Sequence, residues 1–515
     1  MWSFRLEHVC VVPVLEFLKA VFGRQRAQGA AVENPFSIGT NKLIIAGKPR
    51  NQAKRLHHFA YAALPLSVLI CLVYVPGKWQ GPGNPTLHIE DLIIFAGAAY
   101  ALVKYKGRTL RVLFSSRLRL FTGPYFLFVG WVVFITLLNM ANAYEPGLLR
   151  TGLVQVLSML RPICYAILLL AFIKTYASLR YLIAGLMIIG IAQIPIFFCQ
   201  KFNLFDINAW LTPRYSLVYK ASIYSIAGFR TNGTFGNPNH AAIALVPIAA
   251  LFYGLFLFGR ASFYKRLLSF MGTFSILIAL IFFTQSRAGL FSLASAILGL
   301  QLLAHWKKPR RAFLAIVIFA VILIVGMPRL VTIDPTIEVS VTKRFQAFND
   351  IRLVLQDQSL KSRMRRWHDG VEMLGTDIWV GRGFSSYARE GFFDSGYIDY
   401  LYVGGVVSVV LFILMCLRSI ARIISLIKAR AIERDRAFIV TTGCAVLGSM
   451  LISAVSHPIL YNDKIWLIYF TVIVATFISI GSKKLPTRKF PARSIAKNQW
   501  TGNQDKGGSL PRRIN

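Results

Sequence analysis

Between Pro328 and Tyr397 lies a polar stretch whose middle reads Ser362, Arg363, Met364, Arg365, Arg366, Trp367, followed by Gly381, Arg382, Gly383, Phe384. Clustered guanidinium groups grip phosphate oxygens two at a time, and an aromatic face beside them stacks on sugar rings or cations, so the pattern suits a polyanionic, ring-bearing substrate. Ten Lys/Arg against nine Asp/Glu in the same stretch keep a solvated charge run as the alternative. Three other segments could do chemistry. Arg230 to His240 reads RTNGTFGNPNH, a glycine and Asn-Pro turn feeding a helix start, where free backbone N–H groups and the positive dipole end favour an anion. Thr284 to Gly289 reads TQSRAG between two apolar runs, and an arginine so close to hydrocarbon is paired, snorkelling or functional. Phe393, Asp394, Ser395, Gly396 and Tyr397 stand at the mouth of the next apolar run, where the Asp394 carboxylate would take the proton of an attacking hydroxyl.

These segments must be held by the rest of the chain, and the rest is built for a bilayer. Its 515 residues are 55% hydrophobic and 15% charged, well below the charge content of soluble domains. Windows of about 20 apolar residues, the length that spans a bilayer, fall near 57–75, 87–103, 121–141, 153–173, 179–199, 238–259, 267–284, 288–304, 312–327, 398–417, 437–456 and 464–481. The expected fold is therefore all-α and polytopic, with about 12 transmembrane helices. One large loop over 328–397, with no regular structure of its own, is expected between two of them.

Charge then orients the helices. The net charge of +37 is divided among short segments: Lys104 to Arg119, Arg260 to Arg266, His305 to Arg311, Arg418 to Arg436, and the tail. Alternate loops are thus basic, which places both termini in the cytoplasm and puts the 328–397 loop, the 200–237 loop, the turn at Arg287 and the His457 to Asp463 turn on the outer face. Residues 1–56 read as a cytoplasmic arm, 57–481 as the membrane domain and 482–515 as a basic, disordered cytoplasmic tail. Positive charge spread over several loops, not gathered into one patch interleaved with aromatics, argues against nucleic acid. The six cysteines are solitary, which argues against disulfides and zinc, and no phosphate-binding P-loop motif occurs.

Arg230 to His240 resembles the R-x-x-G-x-F-x-N-P-N signature of the O-antigen ligase and polymerase superfamily. Ser286-Arg287-Ala288-Gly289 resembles that family's Ser-Arg-Gly-Ala element. Arg363 with Trp367 four residues on, then Gly381-x-Gly383, resembles its large-loop R-x-x-x-W…G-x-G pattern. The resemblance covers roughly residues 225–417 and implies a bacterial inner-membrane glycosyltransferase. Such an enzyme moves a glycan from a polyprenyl-diphosphate carrier at the outer leaflet to an acceptor hydroxyl. It further implies Arg230, Arg287 and Arg363 as diphosphate contacts, Arg363 as catalytic, no cofactor, and a chain-length regulator and a flippase as partners alongside the lipid-linked oligosaccharide; Asp394 joins the catalytic residues on its own chemistry. The departing diphosphate already carries negative charge, which fixed guanidinium groups stabilise without a metal, and no Asp-x-Asp pair is present to hold one.

Ligases of the family resemble one another in a His near the end of the large loop, in a His-Asn-x-Tyr-Leu context. The matching place here reads Asp394, Ser395, Gly396, Tyr397, Ile398. That departure favours a polymerase of repeat units over a ligase that transfers the finished glycan to lipid A core or another acceptor. His368 and His457 also fall on the outer face and are the histidines that could substitute. A transporter is a third reading, disfavoured because polar residues are concentrated in an outer loop and not at the bilayer midplane. Glu90 and Asp91 near the second span and Arg161 in the fourth are expected to form a buried pair.

Overall fold

The computed structural model describes residues 48–74, 89–105, 108–114, 118–142, 146–173, 175–211, 230–259, 262–306, 358–384, 393–429 and 432–481, with isolated positions 308, 310, 314 and 317. These form α1 Lys48–Tyr74, α2 Ile89–Lys104, α3 Arg108–Leu113, α4 Arg119–Asn142, α5 Pro146–Phe172, α6 Tyr176–Ile191, α7 Gln193–Lys201 and α8 Ile207–Leu211. They continue as α9 Pro238–Phe258, α10 Phe263–Ile278, α11 Arg287–His305, α12 Gln358–Leu374, α13 Gly396–Lys428, α14 Ala437–Ser453 and α15 Asp463–Gly481. The chain is an all-helical, polytopic membrane protein. Seven of the described helical segments are long and apolar enough to cross a bilayer, α6 and α7 counting as one, and α1, α14 and α15 contribute shorter apolar segments.

Eleven of the twelve expected spans fall on these helices; the one near 312–327 lies outside the described residues apart from positions 314 and 317. The 87–103 segment is only a 16-residue helix, opening with Glu90 and Asp91. Those acids are buried. Arg161 of α5 meets Asp91 with both prongs, Nε to Oδ1 at 2.5 Å and Nη2 to Oδ2 at 2.8 Å, which is the expected buried pair. The opposite charges offset one another where water cannot reach them.

Two packing relationships position the polar segments. α9 runs against α10, α11 and α14, and its residues Ala241 to Phe252 are buried almost without interruption, as expected of a helix surrounded by other helices. Helix α11 approaches α9 so closely that a Cβ on Gly289 would lie 2.4 Å from the Cβ of Ala242. α13 lies along α4, and the described part of the large loop docks on its first turns. Large apolar side chains on the outside, such as Leu127, Phe134, Phe263 and Phe291, are exposed as a lipid-facing surface requires.

The large loop differs from expectation. Residues 358–374 of it are an α-helix, not irregular chain. Its packed stripe is Arg363, Trp367, Gly370 and Leu374, spaced at one helical turn, whereas Lys361, Arg365, Arg366 and His368 are exposed. A window that looks for apolar runs misses such a helix, because its buried face is narrow and includes a glycine and an arginine.

Candidate functional site

The first motif is held from both sides. Two glutamines of α7 clamp the 231–236 turn: Gln200 accepts from the Gly233 N–H (2.7 Å) and donates to Asn232 Oδ1 (2.9 Å), while Gln193 donates to Thr234 Oγ1 at 3.0 Å. Thr231 N–H donates to the Phe283 carbonyl, and the Arg230 Nε–H to the carbonyl of Thr284 at 2.9 Å. Those carbonyls are available because α10 ends in a π-helical turn, Ala279–Thr284, followed by Gln285 in the left-handed region (φ 48°). Arg230 also donates through Nη2 to Asn239 Oδ1 at 2.8 Å, and the Ser286 hydroxyl donates to the same oxygen at 3.0 Å. Motifs one and two are therefore a single junction, tied through Asn239.

This junction revises the expected anion site. Pro238, the first residue of α9, has no N–H, and the Asn237 side chain caps Asn239 N at 2.8 Å. The helix start is largely satisfied by its own sequence, and two of the donors of Arg230 are spent on the scaffold. Arg287 is half-buried as the first residue of α11, beside the Ser286 cap, which accepts from Gly289 N.

The Gly381-x-Gly383 motif is likewise structural. Gly381 (φ 84°) and Gly383 (φ 69°) press backbone against a kink in α13 at Gly404 and Gly405 and against α4. A Cβ on Gly381 would sit 2.5 Å from Gly405 N, and one on Gly383 would sit 2.8 Å from Thr136 Cα. Arg382 N–H donates to the Tyr402 carbonyl, and its guanidinium meets Asp377 at 2.9 Å. Trp131 closes the other side, donating to the Gly404 carbonyl at 2.7 Å. The motif fastens the loop to the bundle.

Asp394, in the left-handed region at φ 57°, receives the Arg366 guanidinium at 2.5 Å. Phe393 before it packs against Gly370 of α12, and Gly396 after it lies against the carbonyls of Ala454 and His457. The loop end thereby meets the turn between α14 and α15, which sequence reasoning raised only as a substitute. His457 is buried there, with Nδ1 2.8 Å from the Ser456 carbonyl and its ring 4.4 Å from that of His240. Burial pushes the His457 imidazole down to about 4; the Ser456 carbonyl and Asp394 work against that fall and Arg363 adds to it. Asn462 binds Ile465 N through Oδ1 (3.1 Å), which turns its amide NH2 toward His240 Nδ1 at 3.0 Å. Lys464 donates to the Thr234 carbonyl at 3.0 Å.

The four expected outer-face segments thus meet at one end of the bundle. Arg230 joins Ser286 through Asn239; His240 touches His457; His457 lies in the field of Asp394 and Arg363. His368, in contrast, is exposed and faces Glu372, one turn along, at 3.7 Å. The His240 and His457 contact was not legible in advance, since only the folded chain brings the start of α9 to the turn before α15. Among the described residues no group of three or more His, Cys, Asp or Glu is placed to hold a metal ion.

Residues 272–413 match the family model described as O-antigen ligase. No curated protein matches the chain. The match takes in Arg287, α12 with Arg363, and Asp394, and it supports the O-antigen ligase and polymerase superfamily and glycan processing of the ligase or polymerase type.

Proposed function

We propose that the chain polymerises oligosaccharide repeat units carried on polyprenyl diphosphate, at the outer face of the bacterial inner membrane, in the synthesis of a cell-surface polysaccharide. The observation that carries this reading is the convergence of Arg363 and Asp394 on the buried turn at His457, inside a junction that also contains Arg230 and Arg287. In the proposed reaction the acceptor hydroxyl oxygen attacks the anomeric carbon. The bond from that carbon to the diphosphate oxygen breaks, and the electron pair leaves on the diphosphate. Arg363, with Arg287 and the part of Arg230 not spent on the scaffold, offsets the charge that grows there. Asp394 supplies the negative charge that draws the hydroxyl proton away from the phosphates. Beneath them Phe384 and Tyr400 pack on Tyr461, and Phe393 on Tyr402, buried aromatic contacts that stiffen the join between loop and bundle.

Asp394 at the place of the ligase-like His is what favours polymerisation. The second reading, transfer of a finished glycan to another acceptor, is favoured by the description of the matched family. The lipid-linked species in a deletion strain separate the two. Polymerisation predicts single repeat units, free or capping an acceptor; long chains stranded on the carrier would make the protein a ligase. An unchanged lipid-linked pool, with glycan on the wrong side of the membrane, would make it a transporter. Within the enzyme reading, Arg363→Ala is expected to abolish product while the protein stays in the membrane, and Arg363→Lys to restore little, because a point charge lacks the planar two-pronged grip.

A further inference from the structure

Two buried polar atoms beside this site have no hydrogen-bond partner: the indole Nε1 of Trp367 and Nε2 of His457. They are of opposite kind. The indole N–H only donates. The imidazole Nδ1 lies 2.8 Å from a carbonyl that only accepts, so the neutral ring carries its proton on Nδ1 and presents a lone pair at Nε2. A buried group left in this condition is costly, and two of them, on elements that both meet the start of α13, point to a ligand that answers both. A sugar hydroxyl does, since it accepts one hydrogen bond and donates another. Trp367 shares the packed stripe of α12 with Gly370, which meets Phe393 and Ile398, and Gly396 of the same segment lies against the His457 carbonyl, so α12 and the 457 turn both meet the start of α13.

We propose that Nε2 of His457 receives the proton of the acceptor hydroxyl, with Trp367 Nε1–H donating to the acceptor sugar; the proposal rests on the glycan-joining reading above. Asp394 is held by Arg366 at 2.5 Å, which fixes its carboxylate as a neighbouring charge and leaves the lone pair of His457 to bind the proton. As the new C–O bond forms, the hydroxyl becomes strongly acidic. Its proton passes to Nε2, the diphosphate departs with the electron pair of the old bond, and the resulting imidazolium is stabilised by Asp394 until the proton returns to water. A weak base is sufficient for so late a transfer. The charged groups that act on its proton affinity are Asp394 at the start of α13 and Arg363 on α12, and the His240 ring of α9 is in contact with it.

His457→Asn is the decisive variant, because its amide keeps a donor for the Ser456 carbonyl and removes only the acceptor nitrogen. With purified lipid-linked oligosaccharide as donor and the full-length protein in liposomes, kcat is expected to fall about 100-fold or more, with donor KM and thermal stability little changed. Trp367→Phe is expected to raise the KM for the acceptor and spare kcat. Near wild-type kcat in His457→Asn overturns the proposal. If that variant does not accumulate, the wild-type rate profile decides: a limb that descends toward acid with a midpoint near pH 4 supports it, and a profile without such a limb overturns it. Arg363→Ala is assayed alongside. An inactive Arg363→Ala beside an active His457→Asn would remove this inference alone, whereas full activity in Arg363→Ala would remove the underlying site.

Discussion

The rings of His240 and His457 meet edge to face, with centroids 4.4 Å apart and planes at 70°. Asn462 fixes one ring through Nδ1 and the Ser456 carbonyl fixes the other. His457 is buried in this contact, and burial disfavours its charged form, so the turn is built for a neutral His457.

The neutral junction sets a stability profile. The folded-state pKa of His457 is pushed down to about 4 by burial, whereas in the unfolded chain it is near 6.5. Between those values the unfolded chain binds more protons, so stability rises with pH across the window, is fully present above about 6.5, and is lost as pH falls toward 4. The expected loss from this group is on the order of 3 kcal/mol. Thermal unfolding in detergent from pH 7 to pH 4 measures it. His457→Asn should flatten the slope; an unchanged slope would assign the acid sensitivity elsewhere.

Arg230 is expected to behave differently from Arg363. It holds the Thr284 carbonyl and Asn239 Oδ1, and through Asn239 it holds Ser286. Arg230→Ala should therefore lower stability as well as activity, by roughly 1.5–3 kcal/mol for the lost charge-assisted bonds. Arg363→Ala should lower activity with less effect on melting. Equal melting temperatures for Arg230→Ala and wild type would show that the junction holds without that clasp.

The buried pair makes a separate prediction. Asp91→Asn or Arg161→Met alone leaves one uncompensated charge among apolar helices, at a cost of about 3–5 kcal/mol. The double variant Asp91→Leu, Arg161→Met removes both charges and should recover most of the yield and melting temperature. If the double variant folds but is inactive, the pair has a part in function beyond packing.

How much of this could be read from the residues differs by element. Apolar length gave the spans, because in a bilayer each helix satisfies its own backbone and needs only a hydrophobic exterior. The i, i+4 spacing of Arg363 and Trp367 puts them on one face only because residues 358–374 are helical, which the search for apolar runs did not reveal. Gly381 and Gly383 could be read only as a turn within a motif, since glycine admits close backbone approach without saying to what, and here the neighbour is the kinked helix at Gly405. The π turn at Ala279–Thr284 has no marker in its apolar sequence, yet it turns the Phe283 and Thr284 carbonyls to the 230–231 backbone and side chain. His457 could be named only as an outer-face histidine, because its partners come from α9, α12 and the start of α13.

Orientation in the membrane is the last prediction, and it governs the others, since the site must open where lipid-linked donor is presented. The end of the bundle opposite the site is basic. Arg266 donates to the Phe256 carbonyl at 3.1 Å near the turn between α9 and α10, Arg436 stacks on Tyr176, and α13, 33 residues long, carries Arg418, Arg422 and Lys428 in its second half. Basic residues concentrate on the cytoplasmic side, so that end should be inside and α12 outside. Single cysteines at Ser262, exposed before α10, and at Glu372, exposed on α12, test this in a background lacking the six native cysteines. An impermeant thiol reagent should label position 372 in intact cells and position 262 only after lysis. Labelling in the reverse order would put the arginines, Asp394 and His457 in the cytoplasm, where a donor already carried to the outer leaflet is out of reach, and the proposed polymerisation would fall with them.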